Sequence, residues 1–159
     1  MPDLTDDGHH VVVDGRKWRA TDPGIPEKLR AELVGELMDA RRAVKSDGDE
    51  ARPRVQDAKV ALGERGEPWW EEPTDDGRAA RIEATIRALL RHRGGTICPS
   101  DAARAVGGDS WRPLVPVARE VAARLHGDGV VEIRQKGERV DPAAARGPVR
   151  IARGPRWSG

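Results

Sequence analysis

The chain of 159 residues has no phenylalanine and no tyrosine, and its five aromatic residues are all tryptophan. A core must therefore come from aliphatic side chains and alanine, with a few indoles as anchors. The single cysteine, Cys98, excludes an intramolecular disulfide framework and a Cys-rich zinc site. No apolar run approaches the roughly 20 residues that cross a bilayer. The N-terminus (MPDLTDDGHH) is acidic and lacks the apolar segment of a secretory signal. A soluble protein of the cytoplasm is the expectation, with no membrane partner. No Ser/His/Asp series, phosphate-cradling glycine loop or paired-carboxylate pattern stands out. No enzyme, cofactor or metal site is expected. The cluster Asp47-Gly48-Asp49-Glu50 lacks the spacing of a calcium loop and reads as solvated.

Basic residues are present, and they are unevenly placed. Arginine outnumbers lysine by 23 to 5, as a GC-rich bacterial genome would give, so arginine counts alone carry little. Residues 1–77 hold 12 basic and 19 acidic side chains, a net of −7. Residues 78–159 hold 16 and 8, a net of +8. Such a split hints at nucleic-acid contact in the basic half. Two small units that each drifted from neutrality would give the same numbers.

Turn signals and periodicity divide the chain into a disordered tail (1–8), a small acidic α+β module (9–70), an acidic linker (71–77) and a basic domain (78–155). Asp14-Gly15 between Val11–Val13 and Trp18 predicts a β-hairpin, with Val11, Val13 and Trp18 on the packing face. Pro26 opens a helix to about residue 45, whose stripe is Leu29, Leu33, Val34, Leu37, Met38 and Val44. A second helix follows over about 51–62. Trp18, Trp69 and Trp70 are expected to supply much of this thin core.

The basic half predicts three helices and then a two-stranded wing. Ile82, Ile86, Leu89 and Leu90 mark the first helix, about 78–92. Ser100 is the expected N-cap of a two-turn helix over 101–106. Asp109 or Ser110 is expected to cap a third helix reaching His126, with Pro116 either kinking it or marking its start. Val130–Gln135 and Pro148–Arg153 alternate as strands. The fold class is thus α+β: a hairpin plus two helices, then a winged helix-turn-helix.

Residues of about 80–153 resemble an uncharacterised bacterial domain family of winged-helix type. The resemblance rests on Cys98-Pro99-Ser100, the run from Trp111 to Glu120, Gln135-Lys136-Gly137, Val140-Asp141-Pro142 and Gly147-Pro148-Val149-Arg150. Val115 departs from the methionine expected before the proline. Residues of about 9–71 resemble a small family of bacterial proteins, some labelled Tol-type biopolymer transporters. The carriers are His9-His10-Val11, Asp14 to Arg19, Ile25-Pro26, Leu37 to Val44 and Val55 to Gly63. The resemblance implies a fold for the second half and no catalytic residues.

A winged helix sets its third helix in the major groove and its wing along the backbone, where arginine and lysine neutralise phosphates. The candidate contacts to double-stranded DNA are Ser110, Arg112 and Arg119 near that helix, and Arg134, Lys136, Arg139, Arg146 and Arg150 on the wing. The acidic N-terminal module is expected to regulate this binding or to recruit a protein partner through Trp69 and Trp70, and the rival is a non-enzymatic adaptor that uses the winged helix as a scaffold. A small-molecule sensor would need an apolar pocket between the modules. His9 and His10 are adjacent on a strand and point to opposite faces, so they do not chelate one ion. His92 and His126 suit helix C-termini, and Cys98 reads as a buried structural thiol.

Overall fold

The computed structural model describes residues 3–158. The chain is mixed α+β, with two small antiparallel sheets and five α-helices among the described residues. Strand β1 (Asp3–Leu4) lies within the segment expected to be a disordered tail, while Met1 and Pro2 fall outside the described residues. β1 pairs with β2 (His10–Val13), which turns through Asp14 and Gly15 into β3 (Arg16–Arg19). Both turn residues have positive φ, 52° and 75°. That conformation is why Asp-Gly occupies this turn.

Val11 lies opposite Trp18, and Val13 opposite Arg16. This face does not enter the core as expected: Val13 and Trp18 each keep 41% of their surface exposed. Instead the Arg16 guanidinium and the Lys59 ammonium lie over the Trp18 ring, at 4.7 and 5.2 Å from its centroid. Cationic side chains, one of them from α2, cover the ring in place of a hydrophobic layer.

Helix α1 (Glu27–Asp47) buries Leu29, Leu33, Leu37 and Ala40, whereas Val34 and Met38 of the expected stripe stay exposed. A short 3-10 turn (Gly48–Ala51) leads into α2 (Arg52–Ala61). Glu36 is almost fully buried, and Arg54 grips both of its oxygens at 3.1 Å, joining α1 to α2.

Helix α3 (Asp75–Arg93) begins three residues earlier than expected, taking the end of the supposed linker. Thr74 caps it, its hydroxyl accepting from the Gly77 N–H. Ile82, Ala84, Thr85, Ile86, Ala88, Leu89 and Leu90 are all buried, which is more than one stripe. α1 and α2 pack against α3, and so do α4 (Pro99–Gly107) and α5 (Val115–Gly127). One hydrophobic cluster accordingly runs from Ile25 and Leu33 through Ile86 and Leu89 to Leu125 and Ile151.

Charge joins the halves as well. Arg81 pairs with Asp22 at 2.9 Å, Arg93 with Glu32 at 2.7 Å, and Arg91 with Asp57. Three charges of each sign in the sequence's asymmetry thus meet at this internal junction. Gly108, with φ of 56°, completes the contact: a Cβ there would lie 2.7 Å from the Gly24 carbonyl oxygen.

Two sequence expectations shift in the second half. Cys98, not Ser100, is the N-cap of α4, because the Asp101 carboxylate reaches back to accept the Cys98 N–H at 2.9 Å. The third helix starts at Val115 rather than at Asp109 or Ser110, after two 3-10 turns (Gly108–Ser110 and Arg112–Leu114). Pro116 sits in its first turn, where a missing N–H costs nothing. Strand β4 (Val131–Gln135) then turns at Lys136-Gly137 into β5 (Glu138–Arg139). After a loop, β6 (Arg150–Arg153) pairs with the other side of β4. The expected two-stranded ribbon is therefore a three-stranded sheet of order β5-β4-β6, extended by backbone bonds between Ile97 and Ile151. Among the described residues no helix is long and apolar enough to cross a membrane.

Candidate nucleic-acid interface

Side chains alternate along β4. Val131 and Ile133 face the core and are buried, leaving Glu132 and Arg134 on the outer face. The register then aligns Arg134 with Arg139 of β5 on one side and with Arg150 of β6 on the other. Residues directly opposite in an antiparallel pair share a face, with Cβ atoms about 5 Å apart. Three arginine side chains thus leave the outer face of the sheet from one row of aligned positions.

Like charges directly opposed destabilise a sheet, and little in the row compensates. Glu132 accepts from Arg134 at 2.8 Å. Arg150 donates to the Thr96 hydroxyl and carbonyl, both at 2.9 Å, and to the Cys98 sulfur, all uncharged partners. Arg139 is exposed and has no ion pair among the described residues. Lys136 extends the charge at the turn, where it holds a φ of 52° and is exposed. Arg146 is exposed on the loop between β5 and β6, and Gln135 ties that loop to β4 by donating to the Arg146 and Pro148 carbonyls.

The remaining candidates stand on other elements. Arg119, on α5, donates to the Gly147 carbonyl at 3.0 Å, so it braces the loop that carries Arg146. Arg112 and Ser110 lie in the 3-10 turns before α5, both exposed. Arg112 lies 4.9 Å from the Trp111 ring centroid and Arg104 4.2 Å. This double cation–π contact had no sequence signal, because Arg104 precedes Trp111 by a helix end and a turn. Thr96 and its hold on Arg150 were equally hidden.

α5 is fixed to α3 by Arg124, which donates to Glu83 at 2.6 Å while Arg87 donates to the same carboxylate at 3.1 Å. Desolvation pushes the Glu83 carboxyl up, but the two arginines outweigh it and hold it below its ordinary value.

Trp69 and Trp70 pack on the N-terminal sheet. The Trp69 N–H donates to the Ala20 carbonyl at 2.9 Å. Trp70 stacks on His9 with ring centroids 4.1 Å apart and meets His10 edge-on at 5.5 Å. Glu36, Asp39 and His92 bring potential ligand atoms within 4.8 Å of one another. Both Glu36 oxygens already serve Arg54, so this is an ion-paired junction between helices.

Residues 79–154 match the family described as Protein of unknown function (DUF3253). No curated protein matches the chain. The matched span takes in the arginine row, the Thr96 brace and the α4–α5 turn, and leaves out α1 and α2.

Proposed function

We propose that the chain binds nucleic acid through its C-terminal half, acting as a winged helix whose wing is the β4–β5 hairpin. The observation that carries this reading is the row Arg139–Arg134–Arg150, with Lys136 at its end and a single acid, Glu132, bound within it. Such a row is unfavourable alone and favourable once a polyanion lies across it.

The helix facing the groove in this reading, α5, offers few base-reading groups. Its first turns present Pro116, Arg119 and Glu120, and Arg119 is engaged with Gly147. Binding is therefore led by phosphate contacts and depends weakly on sequence. Three of the N-terminal acids, Asp22, Glu32 and Asp57, are held by arginines of α3, which leaves them engaged at the junction and away from the wing. The full chain is the proper test molecule, since α1 and α2 cover one side of α3.

A gel shift with a duplex of about 20 base pairs tests the proposal. The triple variant Lys136→Ala/Arg139→Ala/Arg146→Ala is expected to bind at least tenfold more weakly than the parent at low salt, with unchanged thermal stability. Equal affinity would move the weight to the adaptor reading. One observation favours that alternative, namely the exposed Leu4, Val13 and Trp18 on a face of the N-terminal sheet.

A further inference from the structure

A cavity of about 650 Å³ opens where the two halves meet. One wall is the segment 65–73, with Pro68, Trp69 and Pro73; the opposite wall is the end of α4 and the turn before α5, with Val106, Pro113 and Leu114. The first turns of α3 form the floor through Arg78, Ala80 and Arg81. The size falls within the usual range for small-molecule sites, roughly 300–1,000 Å³. An apolar shell with a few convergent polar groups is also the usual make-up of such sites.

Most of the polar lining is already engaged. Asp22 is neutralised by Arg81. Glu67 accepts from the Thr74 N–H at 3.0 Å and from its hydroxyl; both bonds, with a smaller part from the Arg78 charge, hold its carboxyl below the ordinary value and fasten it beside the start of α3. Arg65 donates to Gln56. Arg78 and Glu71 differ: Glu71 is exposed and Arg78 half-buried, and among the described residues neither side chain has a hydrogen bond or an ion pair, although the Arg78 charge is felt by Glu67. The Ser110 hydroxyl, on the facing wall, is likewise without a partner among the described residues. The Glu67 oxygens are taken by Thr74, so the planar fork of Arg78 keeps its donors open, and a ligand carboxylate matches them. The walls beside it are flat and rigid: the Trp69 indole, oriented by its bond to Ala20 and packed on Gly63, and the rings of Pro68, Pro73 and Pro113.

We infer that this cavity binds a small planar organic carboxylate, its ring against Trp69 and the prolines and its carboxylate on Arg78, with Ser110 as a second donor. The inference does not depend on nucleic-acid binding, because the site lies off the wing and needs neither β4 nor β5.

Isothermal titration calorimetry of the full chain with 1-naphthoate tests it, with 1-naphthamide and inorganic phosphate as controls. The expected result is saturable 1-naphthoate binding with a Kd of about 1 mM or tighter. The neutral amide should bind at least tenfold more weakly, since it lacks the charge, and phosphate should not bind measurably, since it lacks the ring. Arg78→Gln, a change in the first turn of α3, should lose at least tenfold in 1-naphthoate affinity with an unchanged far-UV spectrum. Placing a ring in the cavity with Ala80→Trp should lose binding too. Absence of saturation, equal affinity for the amide or for phosphate, or an unaffected Arg78→Gln variant would overturn the inference.

Discussion

Arg81 shows how single residues hold this protein together. Burial lowers the pKa of its guanidinium, and the nearby Asp22 carboxylate opposes that shift. The group also donates to the Ala61 carbonyl at 3.2 Å, so it ties α3 to the end of α2 and to the turn before α1. Removing Asp22 would strand a buried cation. Asp22→Ala is therefore expected to destabilise the chain by about 3–5 kcal/mol in urea denaturation, and the double variant Asp22→Leu/Arg81→Met to recover most of the loss. A single-variant loss below about 1 kcal/mol would show that water reaches Arg81 freely. Glu83 sets a pH dependence at the same scale. Its folded pKa is depressed, so its contribution is complete above the unfolded value of about 4.3 and is lost as pH falls through the folded one. The stability difference between the parent and Glu83→Gln should be largest near neutrality and shrink below about pH 4. A difference that stays constant down to pH 3 would assign the pairing no electrostatic role.

Among the elements, the β4–β5 hairpin depends most directly on its turn. Lys136 and Gly137 both have positive φ, 52° and 80°. Lysine is strained there, and asparagine is not. Lys136→Asn should raise thermal stability slightly while weakening nucleic-acid binding, and Gly137→Ala should cost about 1 kcal/mol or more. Stability and binding that move together in Lys136→Asn would argue that the lysine is placed for the fold alone. Helices with strong periodicity were legible in the sequence to within a few residues, because Leu29, Leu33 and Leu37, or Ile82, Ile86 and Leu89, leave a clear stripe. β1 and β5 were not, since two-residue strands such as Asp3–Leu4 and Glu138–Arg139 carry no pattern to read. Of the two starts read for α5, the chain uses the one marked by Pro116, whereas Asp109 and Ser110, good caps by residue type, stand in a 3-10 turn. Of the candidate interface, the residue types were legible, but the alignment of Arg134 with Arg139 and Arg150 was not. That row needs a return strand at β5 and a register that only the folded sheet defines.

At the scale of the whole molecule, α3 is the organising element, shared by the helices before it and those after it. The sequence showed one apolar stripe on α3; the second contact face uses Ala84, Thr85 and Ala88, which do not register as hydrophobic signal. Part of the charge split is met at the same place, since three arginines of α3 pair with acids of α1, α2 and the Asp22 turn. Gly108 is where this junction is tightest, and a methyl group there would meet backbone rather than a movable side chain. Gly108→Ala should therefore loosen the contact between the halves, with faster hydrogen exchange at Gly24 and Ile25 and at the α4–α5 turn. Unchanged exchange at both places would mean that the halves are held elsewhere. Phosphate contact by the outer face of the second sheet should show in the salt dependence of duplex binding. Fluorescence anisotropy of the full chain on a labelled duplex, between about 50 and 200 mM salt, should give a steep log–log slope; each lost phosphate contact should lower it by about 0.9, so Arg139→Ala and Lys136→Ala should each flatten it by nearly that amount. A shallow slope that neither substitution alters would contradict the account.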